Sequence, residues 1–237
     1  MSRQHGLFVK LPALESVELV AASPLEFAVV DLEHSQLSES DALRLVRHAR
    51  VLGLRALVRI PTVDRGLVNR LLEAGAAGLQ LSTVRTVTQV DGLRSAMRYA
   101  PEGARSISLA HPLAGYGGAP LPDYLARCRA APPLLVAQIE TATTDDPLED
   151  ILRAGVDVAF IGTMDLSVDL GLDSSRCEAR IAEIADAAAN AGVTLGAFGL
   201  NDPRVEYDIV GSDVALLRTA IQRAADPIPQ SAAEVAR

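Results

Sequence analysis

Two carboxylates in the sequence, Glu140 and Asp165, are placed where they could hold a divalent cation. Glu140 ends the apolar run LLVAQIE, and Asp165 follows the next apolar run in FIGTMDLS. If these runs are neighbouring parallel strands, their ends lie about 4.8 Å apart, so both carboxylates can reach one cation. Oxygen ligands of this kind suit Mg²⁺ or Mn²⁺ better than zinc. Helix capping by the same two side chains is the alternative, and their spacing leaves both interpretations open.

Three further charged residues could act on a carbonyl substrate beside such a cation. Arg59 ends the run RALVRIP, and its guanidinium could hold a carboxylate or stabilise an enolate oxygen because it stays charged at any working pH. His34 lies three residues beyond Asp31 in DLEHS, where the carboxylate could orient the imidazole for proton transfer. The alternatives are a surface ion pair for the arginine and a structural role for the histidine.

These residues require a scaffold that brings strand ends together, and the hydrophobic pattern predicts one. Short apolar runs rich in β-branched residues alternate with helical segments, such as the one with apolar residues at i, i+3, i+4 and i+7 from Ala42 to Ala49. Glycines at 53, 75, 155 and 192 follow such helical segments, as glycines often do at helix ends. The eight candidate strands are residues 6–10, 27–31, 55–60, 77–81, 105–109, 134–140, 157–162 and 193–198.

Eight such units in 237 residues predict a TIM-type (β/α)8 barrel that forms a single domain over residues 1–237. In this fold, active-site residues project from the carboxyl ends of the strands. No GxGxxG motif follows the first strand, which argues against a dinucleotide-binding fold. A Gly- and Pro-rich loop at 110–122 is predicted to cover the substrate, and a final helix is predicted at 218–225.

Composition excludes several other classes of protein. A net charge of −8 would repel a nucleic-acid backbone. Cys128 and Cys177 have no metal-ligand spacing, and the first residues lack the apolar core of a signal peptide. No apolar run approaches the ~20 residues of a membrane span. We therefore expect a cytoplasmic enzyme with no nucleic-acid or membrane partner.

Taken together, the motifs resemble those of the HpcH/HpaI family of class II pyruvate aldolases, which act on 4-hydroxy-2-oxoacids, including 2-keto-3-deoxy sugar acids. The combination of QIE and FIGxxDLS at this separation is far more specific than either motif alone. The resemblance covers most of the chain. The matching segments are DLEHS (31–35), LVRIP (57–61), LLEAGAAGLQL (71–81), YAPEGARS (99–106), QIET (138–141), AGVDVAFIGTMDLSVDLG (154–171) and GSDVALL (211–217).

The resemblance implies a cofactor, a set of ligands and an assembly. Glu140 and Asp165 would be the ligands of Mg²⁺, Mn²⁺ or Co²⁺. Gln138 would hydrogen-bond near the substrate, and Arg59 would contact its 2-oxo oxygen. The subunits would form a homotrimer or homohexamer in which C-terminal helices are exchanged.

The resemblance also implies a mechanism. His34, with Asp31 behind it, resembles the acid–base histidine of the family, which would take the 4-hydroxyl proton during retro-aldol cleavage. The backbone N–H groups of Met164 and Asp165 would bind the substrate carboxylate at a helix start. The substrates would be a 2-oxoacid, such as pyruvate or oxaloacetate, and an aldehyde or second carbonyl compound.

Four positions depart from the pattern that the family usually has. Ser82 and Arg85 follow the fourth strand in place of a proline and a small polar or acidic residue, Ser106 replaces a glycine, and Thr163 replaces a proline. The departures fall on the aldehyde side and leave the acceptor open. Arg85 mildly favours an alternative: a condensing enzyme, like citrate synthase or one of specialised metabolism, that uses the same metal–enolate core. A catalytically silent binding or assembly subunit is the third hypothesis.

Overall fold

Eight parallel strands close into a barrel in the order in which they follow one another along the chain. The structure is a computed structural model that describes residues 3–226. The TIM-type (β/α)8 prediction is therefore confirmed. The strands are β1 (Gln4–Val9), β2 (Phe27–Asp31), β3 (Arg55–Ile60), β4 (Gly78–Leu81), β5 (Leu134–Ile139), β6 (Val158–Ile161), β7 (Thr194–Phe198) and β8 (Tyr207–Ser212).

Helices cover the outside of the barrel, and their ends carry the usual local signals. Ser38 and Asp41 form a capping box at the start of the second helix, and Gly75 and Gly192 end two others with φ of 109° and 71°, a conformation that favours glycine. The helices are α1 (Leu14–Ala21), α2 (Glu39–Val51), α3 (Arg65–Ala74), α4 (Val87–Met97), α5 (Leu121–Ala130), α6 (Leu148–Arg153), α7 (Thr163–Asp169), α8 (Ser174–Ala191) and α9 (Asp213–Ala225), with a short 3₁₀ segment at Pro112–Gly117.

Two hydrophobic clusters hold the barrel together. The larger one lies between the strands and the helices, and the smaller one fills the barrel interior with residues such as Phe27, Leu57 and Phe160. Side chains of a strand point alternately to these two layers. The polar residues that end the strands therefore stand above the inner cluster. In the described range 3–226, no helix has the length and apolar character to cross a membrane.

One predicted strand is wrong and another was missed. Residues 105–109 form no strand, because β4 pairs directly with β5 and leaves no edge for this segment. The barrel closes instead through Tyr207–Ser212, which pairs with β1 and β7. Its apolar pattern is interrupted by the buried Asp208, which is paired with Arg3 and His5. The final helix begins at Asp213, not at 218.

Candidate active site

A cavity of about 180 Å³ opens at the carboxyl ends of the strands, where the barrel fold is expected to carry its chemistry. An adjoining cavity of about 290 Å³ shares some of its walls. Asp31 lies beneath them, whereas the other predicted site residues line one cavity or both: His34, Arg59, Gln138, Glu140, Met164 and Asp165. The structure therefore brings all the predicted side chains to one end of the barrel.

Glu140 follows directly after β5 and is only 4% exposed. Its Oε1 accepts hydrogen bonds of 2.7 Å from both the backbone N–H and the hydroxyl of Thr83, and its Oε2 accepts one from the amide of Gln138. Burial raises the pKa of Glu140, and the nearby charge of Asp165 adds to this effect. The hydrogen-bond partners of this buried carboxylate, Thr83 and Gln138, are all neutral among the described residues.

Asp165 lies in the first turn of α7 and lines both cavities. A cation between Asp165 and Glu140 would offset their repulsion, and Oε2 of Glu140, which accepts one hydrogen bond, keeps a lone pair for it. The residues present therefore fit a hard divalent cation. Within residues 3–226, no group of three or more His, Cys, Asp or Glu is arranged to hold a metal ion.

Asp31 and Arg59 form a buried, two-pronged ion pair at the base of the cavity. The two residues are register partners on β2 and β3, and Arg59 Nε and Nη2 donate to the Asp31 carboxylate at 2.8 and 2.6 Å. Burial by itself would raise the pKa of Asp31. The hydrogen bonds and charge of Arg59, with help from Lys10 and the His34 backbone N–H, outweigh it and hold the pKa well below its ordinary range.

This ion pair corrects the expected pairing of Asp31 with the His34 ring. Asp31 accepts a hydrogen bond from the backbone N–H of His34, while the imidazole lies 3.8 Å from the carboxylate of Glu33. The His34 side chain is 55% exposed at the cavity rim. Asp31 thus shapes the DLEHS turn through the His34 backbone N–H. It also holds Arg59, whose guanidinium reaches Asp31 from the neighbouring strand.

Two residues that we did not assign to the site also contribute to it. Lys10 follows β1 and lines the smaller cavity, and its ammonium lies 3.0 Å from Asp31. It ends an apolar run, so the criterion that selected Arg59 could have selected it. Thr83, with φ of 50°, donates twice to Glu140. No signal in the sequence marks this contact, since it joins residues 57 positions apart.

Among the positions that depart from the family pattern, Ser82 and Arg85 are paired with acidic side chains. The Ser82 hydroxyl donates to Glu33, and Thr163 lines the smaller cavity at the start of α7. Arg85 forms a two-pronged pair with Asp145 on the surface. Its charge is already matched there, so Arg85 no longer favours a second acidic substrate.

The loop at 110–122, predicted to cover the substrate, does not reach the active site of its own chain. Residues of the 110–122 loop line neither cavity at the strand ends, and the 3₁₀ segment Pro112–Gly117 packs against α3. Leu113 lines a different cavity, together with the first residues of β3 and β5. The loop therefore packs towards the opposite end of the barrel.

The closed parallel barrel and the acid-rich pocket at its carboxyl end define the class of (β/α)8-barrel enzymes. The chain belongs to the HpcH/HpaI aldolase/citrate lyase family, whose model matches residues 4–226. It is an aldolase of this class, a carbon–carbon lyase, as the names of its relatives also indicate. The resemblance inferred from the motifs is thereby confirmed.

Three similar proteins illustrate the relationship. The hydroxypyruvate/pyruvate aldolase of Roseovarius nubinhibens is 33% identical over 220 residues, which cover 85% of this chain and 83% of the relative. The 4-hydroxy-4-methyl-2-oxoglutarate aldolase cghB of Chaetomium globosum is 30% identical over 195 residues, or 79% and 72% of the two chains. The crystal structure of an HpcH/HpaI aldolase from Desulfitobacterium hafniense has a TM-score of 0.87 at 26% identity and covers 97% of this chain and 94% of that one.

Proposed function

We propose that this aldolase cleaves or forms a 4-hydroxy-2-oxoacid with a divalent cation bound by Glu140 and Asp165. The observation that carries the proposal is the buried Glu140 carboxylate, which lies near a second carboxylate and whose hydrogen-bond partners within residues 3–226 are neutral. A buried charge of this kind is unfavourable without a counter-charge. When bound, Mg²⁺, Mn²⁺ or Co²⁺ supplies Lewis acidity that polarises the substrate carbonyl.

Arg59 is the side chain that we assign to the 2-oxo oxygen. Its pair with Asp31 and its position 4.6 Å from the centre of the Phe8 ring hold the guanidinium in one orientation. A donor fixed in advance stabilises the negative charge that develops on an enolate oxygen without first having to reorient. Gln138 lies beside it on the cavity wall and orients Glu140 through its amide.

His34 is the group that we assign to proton transfer. Its exposed imidazole stands at the rim of both cavities, where an acceptor aldehyde would enter. In the cleavage direction it would take the proton of the 4-hydroxyl group, and in the aldol direction it would return that proton. The backbone N–H groups of Met164 and Asp165, in the first turn of α7, are the candidates for binding the substrate carboxylate.

The smaller of the two adjoining cavities, which Arg59 and Gln138 line, is of a size that suits a small 2-oxoacid. Its volume of about 180 Å³ is below the range of about 300–1,000 Å³ that is usual for larger organic ligands. Pyruvate and oxaloacetate are the first compounds to test. Hydroxypyruvate is the third, because the relative from Roseovarius nubinhibens bears that substrate in its name.

Metal-dependent exchange of the pyruvate methyl protons tests this proposal. We expect purified protein with Mg²⁺, Mn²⁺ or Co²⁺ to exchange these protons in D₂O, since an enolate forms and is reprotonated by solvent deuterium. Proton NMR follows the loss of the methyl signal, and removal of the metal with EDTA should stop it until metal is restored. Hydroxypyruvate and oxaloacetate are tested in parallel. Absence of exchange with every metal and every 2-oxoacid would contradict the proposal.

We also propose that the enzyme is a homotrimer or homohexamer with its C-terminal helix packed on a neighbour. Val214, Leu217 and Ile221 recur on one face of α9 and are exposed, and Asp213 is the buried residue of that helix. An apolar helix face of this kind is typical of a surface that packs against another chain.

A charge on this face should break the assembly. We expect Leu217→Asp combined with Ile221→Asp to shift the protein to a smaller species, because buried carboxylates are costly at an apolar interface. Size-exclusion chromatography with light scattering measures the mass. Gln222→Asp adds a charge on the same helix outside the apolar face and should leave the mass unchanged. A wild-type monomer at all concentrations would contradict the assembly.

A further inference from the structure

We propose that a second cavity, at the amino-terminal end of the barrel, binds a small amphipathic oxyanion with an aliphatic or aromatic tail. This site is separate from the proposed aldolase chemistry and takes a different class of ligand. Its volume of about 450 Å³ is within the range of organic ligand pockets.

The walls of this cavity lie far from the strand ends that carry the aldolase site. Arg55 and Leu134, the first residues of β3 and β5, form part of its floor, and α4 and α5 provide its sides. Leu72, Met97 and Leu113 supply apolar surface. The tail of a ligand would therefore lie on a hydrophobic wall that already exists.

The charge in the cavity is strongly one-sided. Four arginines line it, at positions 55, 98, 105 and 129, whereas Glu102 is the acidic residue among its lining. This excess of positive charge stands out in a chain whose net charge is −8. A pocket lined mainly by one sign of charge attracts ligands of the opposite sign.

Two of the arginines that line this cavity each have a buried guanidinium nitrogen without a hydrogen-bond acceptor. Arg98 Nη1 and Arg105 Nη2 are buried and have no partner among the described residues. Arg105 is nevertheless fixed, since its Nε donates to Asn69 and its guanidinium stacks over the Tyr99 ring at 4.7 Å. Buried donors of this kind are rare and costly unless something accepts from them. A carboxylate or phosphate matches guanidinium geometry and is the kind of ligand that the arginines lining the cavity would bind.

Cys128 offers a direct readout, because its thiol lines this cavity whereas Cys177 on α8 does not. Both cysteines are free and partly exposed. An occupant should slow alkylation of Cys128 by iodoacetamide and leave Cys177 as an internal control. Peptide mass spectrometry of the full-length protein measures both rates without any aldolase assay, so the result is independent of the proposed function.

The probes separate the head group from the tail. We expect octanoate and octyl phosphate to slow labelling of Cys128 saturably, whereas acetate, inorganic phosphate and neutral 1-octanol at equal concentration should not. Comparison of octanoate with octyl phosphate decides which oxyanion is preferred. Arg98→Met removes the guanidinium but keeps an apolar stem, and it should raise the half-protecting concentration by about tenfold. Arg105→Gln is the second variant, and Arg47→Met, on the exposed face of α2, is the matched control.

Several outcomes would overturn the proposal. These are no protection by either amphiphile, equal protection by 1-octanol, equal protection of Cys177, or unchanged protection in both arginine variants. Labelling of Cys128 that is slow without ligand and becomes faster on dilution would also overturn it, because the cavity would then be covered by a second copy of the chain.

Discussion

Glu140→Gln should abolish metal-dependent exchange of the pyruvate methyl protons while the protein stays folded. The substitution removes the charge that we assign to cation binding, but the amide oxygen can still accept from Thr83. Substitution of a residue that merely supports a metal ligand typically lowers metal affinity or activity about 10- to 100-fold. We therefore expect loss of a ligand itself to lower the exchange rate by more than about 100-fold. The measurement is the proton NMR assay at saturating Mg²⁺ or Mn²⁺.

The free energy of unfolding should not fall together with activity in this variant. Burial raises the pKa of Glu140, which means that the charged form is unfavourable in the folded protein without a cation. A neutral glutamine should leave the metal-free protein about as stable to urea as the wild type, because relief of the buried charge offsets the amide group placed against the Gln138 donor. Glu149→Gln, a surface substitution of the same kind on α6, should preserve exchange. If Glu140→Gln still exchanges at a rate within about threefold of the wild-type rate, Glu140 is not a metal ligand, because loss of even a residue that supports a ligand has a larger effect.

Asp31→Asn should be the most destabilising conservative substitution in the pocket. It removes the negative charge that Arg59 Nε and Nη2 and the Lys10 ammonium share, and it places an amide group against these donors. Removing one partner of a buried ion pair usually costs about 3–5 kcal/mol in the free energy of unfolding. Urea denaturation at neutral pH measures it. Exchange activity should fall as well, because Arg59 loses its fixed orientation.

The pH dependence of this difference tests its electrostatic origin. The pKa of Asp31 is lower in the folded protein than in the unfolded chain, so its stabilising contribution is complete above about pH 4, the ordinary pKa of an aspartate. The contribution is lost as the pH falls through the lower, folded-state pKa. The difference in the free energy of unfolding between the wild type and Asp31→Asn should thus be constant from neutral pH to about pH 5 and become smaller on further acidification.

The surface pair of Arg85 and Asp145 is the matched control for this experiment. It has the same two-pronged geometry as the buried pair, but both side chains are exposed. Asp145→Asn should therefore change stability much less, because solvent screens an exposed ion pair. An equal effect of the two substitutions would show that burial is not what makes Asp31 important.

The sequence by itself determined the barrel and the strand ends that carry its chemistry. Helical periodicity, terminal glycines and runs such as LLVAQIE are local patterns, and backbone conformation responds mainly to local patterns. Arg59, Glu140 and Asp165 could be selected because each polar residue closely follows an apolar run. The family resemblance then added their expected roles, which stay predictions until the exchange assay is done.

Only the tertiary structure decided which side chains meet. Asp31 pairs with Arg59 and Lys10, not with the His34 ring, because parallel pairing places β1 and β3 on either side of β2. Closure of the barrel made Tyr207–Ser212 a strand, and direct pairing of β4 with β5 left residues 105–109 without one. Pairing depends on the neighbours that are present and not on propensity alone. Contacts between residues far apart in the chain depend on which strands pair and in which register, and both are fixed only when the strands assemble and bury their faces.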